Sequence, residues 1–145
     1  MTINGNSFAK QRQYEKAFEM FERSLQVDAN DIIALTSYGK ALADKGEFEK
    51  AFKMFERSLQ VNANNTIALN SYGKALADKG EFEKAFEMFE RSLQVNANNT
   101  IALTSYGKAL ADKGEFQKAF EMFERSLQVN ANNTIALTIL HAGTT

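Results

Sequence analysis

The acidic side chains that could act as general acids or bases recur at a fixed spacing along this chain. Asp44, Asp78 and Asp112 lie 34 residues apart, and a lysine precedes each of them by four residues. Catalytic carboxylates work as a pair only when they lie close enough to perturb each other's pKa. We expect carboxylates spaced so regularly to lie too far apart for that, and we interpret them as solvated side chains.

His141 is the single histidine of the chain, which contains no cysteine. A structural zinc site needs four nitrogen, sulfur or carboxylate ligands, and a nucleophilic triad needs a histidine beside its nucleophile. The absence of cysteine also excludes disulfide bonds, iron–sulfur ligation and cysteine nucleophiles. We therefore expect no catalytic residue, no metal site and no bound cofactor, and we interpret His141 as an exposed residue.

Two short patterns have an ordinary structural interpretation. The glycines form no phosphate-binding loop, because neither G-x-x-x-x-G-K-[ST] nor G-x-G-x-x-G occurs in the sequence. The triplet Asn64-Asn65-Thr66 matches the N-glycosylation sequon, but no secretory signal accompanies it. We interpret this triplet and its copies as helix caps.

The composition excludes several classes of partner. The 145 residues carry 17 basic and 18 acidic side chains with both signs scattered, so we predict no nucleic-acid-binding patch. The uncharged stretch at residues 61–72 is rich in asparagine and contains threonine, which predicts no membrane span. The first six residues lack the basic start and apolar run of a signal peptide, so a cytoplasmic protein is the default expectation.

A 34-residue repeat organises the chain. The nine residues from Tyr38 to Gly46 return unchanged from Tyr72 and again from Tyr106. Residues 32–65 and 66–99 differ at three positions, and residues 66–99 and 100–133 differ at two. Residues 1–31 fit a partial repeat, and residues 134–145 begin another repeat and then stop. This organisation predicts an array of stacked units.

Each repeat contains two amphipathic segments. Apolar residues recur with helical spacing from Leu35 to Leu42 and again from Phe48 to Leu59. We call the first predicted helix of each repeat helix A and the second helix B. Gly46 should end helix A in the left-handed conformation, and Asn64 or Asn65 should cap the next helix A. The small Gly39 and Ala51 should let the two helices approach closely, with phenylalanines around that contact.

This pattern resembles the tetratricopeptide repeat family. The resemblance covers nearly the whole chain and rests on Leu35, Tyr38, Gly39, Leu42, Gly46, Phe48, Ala51, Phe55, Asn64 and Asn65 together with their copies. It implies an all-α fold, a right-handed superhelical solenoid of antiparallel helix-turn-helix repeats. It also implies that helix A lines a concave groove in which such proteins hold an extended peptide or a helix of a partner protein.

The groove positions that the resemblance implies on helix A include apolar, polar and charged side chains. Each repeat contributes an isoleucine, a threonine or asparagine, a lysine, an alanine and an aspartate. These residues are Ile33, Thr36, Lys40, Ala43, Asp44, Ile67, Asn70, Lys74, Ala77, Asp78, Ile101, Thr104, Lys108, Ala111 and Asp112. They lie off the stripe formed by Leu35, Tyr38 and Leu42, as a surface face requires.

Two features limit what this groove would bind. The carboxylate clamp of family members that bind chaperone tails is absent, because its positions read Thr36, Ser37, Lys40 and Ile67, Ser71, Lys74. An acidic C-terminal peptide is therefore not predicted as a partner. Each lysine also lies one helical turn from an aspartate, so the two charges could simply neutralise each other.

The two ends of the array lack a recognisable polar cap. Arg12 stands where the complete repeats have Gly46, so Ser7 to Val27 is predicted to form one continuous helix, or residues 1–12 to fray. The last segment, Thr134–Ala142, has the apolar residues of a helix A without a following helix B. The residues that could join two copies are Tyr14, Phe18, Phe21, Ile135, Leu137, Ile139 and Leu140.

Two non-catalytic functions follow. The first is a protein–protein interaction scaffold whose groove holds a partner segment of unknown identity. The second is a self-assembling module, in which the uncapped ends join head to tail or exchange helices to form a homo-oligomer. A fragment cut from a longer array would show the same uncapped ends.

Overall fold

The chain folds into α-helices. The structure is a computed structural model that describes residues 4–130, 138, 139, 141 and 142, with side chains from residue 9 onward. Seven helices and no strand occur in this described part, which confirms the all-α prediction. The helices are α1 (Asn4–Val27), α2 (Ile32–Lys45), α3 (Phe48–Val61), α4 (Thr66–Lys79), α5 (Phe82–Val95), α6 (Thr100–Lys113) and α7 (Phe116–Val129). No helix described there is both long and apolar enough to cross a membrane.

The helices form two compact units. The first unit, Met1–Ala63, contains α1, α2 and α3, with α2 packed against both of the others. The second unit, Asn64–Thr145, contains α4 to α7, in which each helix packs against the next and α4 also contacts α6. Helices A of the complete repeats are therefore α2, α4 and α6, and helices B are α3, α5 and α7.

Each helix A begins and ends through the residues that the sequence indicates. The side chain of Asn65 accepts hydrogen bonds from the backbone N–H groups of Ile67 and Ala68, which confirms it as the N-cap of α4. The side chain of Asp31 caps α2 by accepting a hydrogen bond from the backbone N–H of Ala34. Gly46 ends α2 with φ 90°, a left-handed conformation that a glycine adopts without steric cost.

Helices A and B of one repeat meet at a glycine and a phenylalanine. A Cβ atom built on Gly39 would lie 2.7 Å from the ring of Phe55, which is too close for any side chain. Ala51, Phe55 and Ser58 are all completely buried in this contact. The expectation that Gly39 and Ala51 allow the helices to approach closely is confirmed, and the same geometry recurs in the second unit.

α1 differs from the other helices. It runs without interruption from Asn4 to Val27, through Arg12 at the position where complete repeats have a left-handed glycine. Because the chain stays helical there, no helix A of the same repeat covers this helix B within the described residues. Ala17, Phe21 and Ser24 are consequently only half-buried, whereas their counterparts in α3 are fully buried.

Candidate functional site

The predicted groove residues of helix A fall into an exposed set and a buried set. Ile33, Ile67 and Ile101 are 79%, 64% and 64% exposed, an unusual state for large apolar side chains. The lysines and aspartates are also exposed, and the alanines are half-buried. These residues are Lys40, Lys74, Lys108, Asp44, Asp78, Asp112, Ala43, Ala77 and Ala111.

A small open cavity lies between α4 and α6 in the second unit. Its volume is about 50 Å³, and its lining residues are Lys74, Ala77, Asp78, Phe89, Ser105, Lys108, Ala109 and Asp112. Five of these eight are groove positions named from the sequence. The structure therefore brings lysines and aspartates from two successive helices A to one concave site, with Phe89 of helix B behind them.

The charges of this cavity are not neutralised by one another. Among the described residues, no oppositely charged group lies within 4.0 Å of Lys74, Asp78, Lys108 or Asp112. Lysines elsewhere behave differently, since Lys84 pairs with Glu81 at 3.6 Å. The mutual neutralisation that the sequence left open is therefore not seen in this cavity, and its charges face solvent.

Ser105 and Ala109 line the cavity although the sequence did not indicate them. Ser105 precedes Lys108 by three residues, and Ala109 follows it directly. Both side chains are small, so they leave open space between the charged side chains of the cavity. Their spacing of four residues on α6 is the signal that could have identified them.

Three predicted groove positions lie inside the helix pair instead. Thr36, Asn70 and Thr104 are at most 9% exposed. The hydroxyl groups of Thr36 and Ser58 share a hydrogen bond of 2.9 Å, and the hydroxyl of Thr104 donates to the carbonyl of Thr100. Helix A packs against neighbours on more than one side, so its buried arc is wider than its most apolar stripe suggests.

Away from the cavity, α5 and α6 form an aromatic and charged cluster that the sequence did not indicate. The Tyr106 hydroxyl donates a hydrogen bond of 2.6 Å to Glu90. The pKa of Tyr106 is raised, mainly because the side chain is partly buried and also because of this hydrogen bond. The ammonium group of Lys113 lies 5.5 Å from the ring centre of Phe86 and pairs with Glu83. The hydrogen bond, the cation–π contact and the ion pair all join a residue of α6 to a residue of α5, so they hold the two helices together.

The first unit repeats this arrangement. Tyr38 donates to Glu22 at 2.8 Å, and Lys45 lies over the ring of Phe18 at 5.5 Å. Burial, the hydrogen bond to Glu22 and nearby carboxylates raise the pKa of Tyr38 to about 12. The tyrosine of helix A thus joins the preceding helix B through both a ring contact and a hydrogen bond.

The residues predicted to join two copies are only partly described. Tyr14, Phe18 and Phe21 are half-buried on α1, and the rings of Phe18 and Phe21 lie 5.3 Å and 5.6 Å from the ring of Tyr38. Ile139 is helical and half-buried. The remaining positions lie outside the described residues, namely Ile135, Leu137 and Leu140.

The repeat matches a known family of helical repeats. The family model described as tetratricopeptide repeat matches residues 4–66, 38–99 and 71–133, three overlapping segments that together cover most of the chain. A search of curated proteins found no match.

Solved structures with the same arrangement of helices share little sequence with this chain. A crystal structure of MamA is 21% identical, with 94% of this chain and 79% of that chain covered and a TM-score of 0.76. The first tetratricopeptide repeat domain of Spaghetti (RPAP3), bound to an HSP90 peptide, is 19% identical, with 79% and 91% covered and a TM-score of 0.72. The NMR structure of the first such domain of human RPAP3 is 19% identical, with 77% and 87% covered and a TM-score of 0.72. At these identities the likeness shows the fold.

Proposed function

Because this chain belongs to the tetratricopeptide repeat family, we propose that it binds a segment of a partner protein along its helices A and catalyses no reaction. The observation that carries this proposal is the cavity between α4 and α6, where Lys74, Asp78, Lys108 and Asp112 have no ion-pair partner among the described residues. Charges left unpaired on a concave surface are available to a ligand.

The residues of the cavity define the chemistry of the partner segment. The ammonium groups of Lys74 and Lys108 suit acidic side chains or backbone carbonyls, and the carboxylates of Asp78 and Asp112 suit basic side chains or backbone N–H groups. The small Ala77 and Ala109 leave room for a peptide backbone. The proposed ligand is therefore an extended polar segment with charges of both signs, and a repetitive segment would suit the repeating groove.

Exposed isoleucines add an apolar component to this surface. Ile67 and Ile101 are both 64% exposed, and each begins the helix A that carries the charged residues. Burying such a side chain against a ligand contributes about 1.5–3 kcal/mol. We propose that apolar side chains of the partner cover these isoleucines.

One similar structure, the first domain of Spaghetti, is bound to an HSP90 peptide, which supports peptide binding as a function of this fold. This chain has Ile67, Ser71 and Lys74 at three of the positions where the family's clamp grips a terminal carboxylate. A single lysine among them supplies too few donors for that role. We therefore propose an internal segment as the ligand.

The test compares two peptide probes on the full chain by fluorescence anisotropy. The first probe alternates lysine and glutamate with intervening alanines, and the second is the acidic peptide SRMEEVD. Replacing Lys74 and Asp78 together by alanine should weaken binding of the first probe at least tenfold, with no change in helicity by circular dichroism. The second probe should bind no better than its scrambled form.

A matched control removes the same two charges from helix B. Lys84 and Glu87 are exposed on α5, outside the cavity between α4 and α6. Their replacement by alanine should leave binding of the first probe unchanged. Equal loss in both double variants, or no loss in either, would contradict a groove on helix A.

A further inference from the structure

Two open cavities adjoin each other between α5 and α7 in the second unit. Their volumes are about 320 Å³ and about 390 Å³, and Glu90 and Tyr106 line both of them. They share no lining residue with the cavity between α4 and α6. We call the two cavities together the α5/α7 groove, and the residues that characterise it are Glu87, Glu90, Leu93, Tyr106, Met122 and Arg125.

One end of the α5/α7 groove has a net negative charge. Four carboxylates and two lysines line the cavity of about 320 Å³. Lys113 pairs with Glu83 and Glu115, and Lys118 pairs with Glu115 at 3.6 Å. Glu87 is exposed and has no ion-pair partner among the described residues. The lysines of this end therefore leave the carboxylate of Glu87 available to a cation from outside.

This end also places a cation beside aromatic rings. The ammonium group of Lys113 lies 5.5 Å from the ring centre of Phe86, and the ring of Tyr106 lies 5.3 Å from that of Phe86. The Tyr106 hydroxyl donates to Oε1 of Glu90, which leaves Oε2 as an acceptor. Glu87 and Glu90 lie on the same side of α5, because they are three residues apart. A guanidinium group suits this end, since it stacks on aromatic rings and donates several hydrogen bonds to carboxylates.

The other end of the α5/α7 groove is apolar and has one positive charge. Leu93 and Met122 are half-buried and line the cavity of about 390 Å³. Arg125 is exposed, its guanidinium lies 3.7 Å from the sulfur of Met122, and no carboxylate of the described residues pairs with it. The positive charge of Arg125 repels a basic side chain from this end. A large apolar side chain suits it instead, because Leu93 and Met122 can cover such a group.

The distance between the two ends sets the spacing of the ligand's side chains. Glu87 and Leu93 are six residues apart on α5, and six residues of an α-helix span about 9 Å. A segment in the polyproline II conformation has three residues per turn and rises about 3.1 Å per residue, so side chains three residues apart point the same way and lie about 9 Å apart. A ligand that reaches both ends would therefore carry its basic and apolar side chains three residues apart.

We propose that the α5/α7 groove binds a segment of a partner protein in which an arginine and a large apolar side chain lie three residues apart. The arginine pairs with Glu87 and Glu90 beside the ring of Tyr106. The apolar side chain covers Leu93 and Met122. This site is separate from the groove of the helices A, so one chain would hold two partner segments at once.

The test follows the methyl signal of Met122 by NMR in the full chain labelled with carbon-13 at the methionine methyl groups. The chain contains five methionines, so each signal can be assigned by substitution. The probe is a peptide of alanine, serine and glycine with one arginine and a leucine three residues to either side of it. The Met122 signal should shift with saturation, whereas the signal of Met20, which is exposed on α1, should not shift.

Three altered probes establish which side chains of the ligand are recognised. Citrulline in place of arginine keeps the shape of the side chain without its charge, and it should raise the concentration for half-maximal shift at least tenfold. Serine in place of both leucines should have a similar effect. The alternating lysine and glutamate probe has no large apolar side chain, so it should not shift the Met122 signal.

A charge reversal on α5 has a matched control on α7. Glu87→Lys introduces the residue that the chain already has at the equivalent position, Lys53, so we expect the helix to accept it. This variant should raise the concentration for half-maximal shift at least tenfold, with unchanged helicity by circular dichroism. Glu121→Lys makes the same change at the equivalent exposed position of α7, outside the α5/α7 groove, and should have no effect.

Replacing Lys74 and Asp78 together by alanine should leave the Met122 shift unchanged, so this site and the groove of the helices A can fail independently. The proposal is overturned if the arginine probe does not shift the Met122 signal, if the citrulline or serine probe binds equally well, or if Glu87→Lys and Glu121→Lys have the same effect. A Met122 signal that changes with protein concentration in the absence of peptide would also overturn it, because a second copy of the chain would then occupy the groove.

Discussion

At the scale of single residues, the close contact of glycine with phenylalanine sets the distance between helices A and B. We expect Gly73→Ala to lower the free energy of unfolding by about 1–3 kcal/mol, because the new methyl group overlaps the ring of Phe89. Urea denaturation measures this change. In a Phe89→Leu background the same substitution should cost less, and an equal cost in both backgrounds would contradict the steric explanation.

Asn70 is a second position where one side chain decides local stability. Its Oδ1 atom and the hydroxyl oxygen of Ser92 are buried without a hydrogen-bond partner in the described structure, whereas Thr36 and Ser58 bond each other in the first unit. Asn70→Thr should therefore raise the free energy of unfolding by about 1 kcal/mol. The reverse change, Thr36→Asn, should lower the free energy of unfolding. If urea denaturation showed Asn70→Thr to be destabilising and Thr36→Asn to be stabilising, the hydrogen bond between the two hydroxyl groups would not explain the difference.

Tyr38 links stability to alkaline pH. Its pKa is raised to about 12, first by burial and then by its hydrogen bond to Glu22. The unfolded chain releases this proton near pH 10, so the stabilising effect is complete below that pH and is lost as the pH rises toward 12.

Urea midpoints measured between pH 9 and 12 should therefore fall less steeply for Tyr38→Phe than for the unchanged chain. Lysines titrate over the same range in both proteins, so their contribution cancels in this comparison. Identical slopes would show that the folded chain does not hold the proton of Tyr38.

At the scale of the helix, capping residues define where each helix A begins. Asn65 accepts hydrogen bonds from two N–H groups that α4 cannot satisfy internally. Asn65→Ala should lower the free energy of unfolding by about 0.5–2 kcal/mol, as measured by thermal or urea denaturation. Asn65→Asp keeps an acceptor and a favourable charge at the helix N-terminus, so it should be neutral or stabilising. If both variants lose the same stability, the cap is not the cause.

At the scale of the whole molecule, stability should follow the number of packed neighbours of each helix. In the first unit α3 buries Ala51, Phe55 and Ser58 completely, whereas residues 9–13 of α1 are exposed. Native-state hydrogen exchange should therefore show the slowest amides in α3 and much faster amides in the first half of α1. Equal protection in both helices would contradict additive stabilisation by neighbouring helices.

The sequence by itself determined the helices, their ends and the repeat. Exact recurrence every 34 residues, helical spacing of apolar residues and glycine at the end of helix A are local signals, because they depend on backbone geometry and on contacts a few residues apart. They correctly indicated the left-handed Gly46 and the close approach at Gly39, and they limited the cap of α4 to Asn64 or Asn65, of which the structure shows Asn65.

Only the tertiary structure decided which of the predicted groove positions are exposed, and which charges of the cavity lack an ion-pair partner among the described residues. Thr36 and Lys40 are one turn apart on α2, yet the first is buried against Ser58 and the second is exposed. The missing ion pair between Lys74 and Asp78 could not be inferred from their spacing, which also permits a pair. Burial and ion pairing depend on distances between residues far apart in sequence, and packing of the helices fixes those distances.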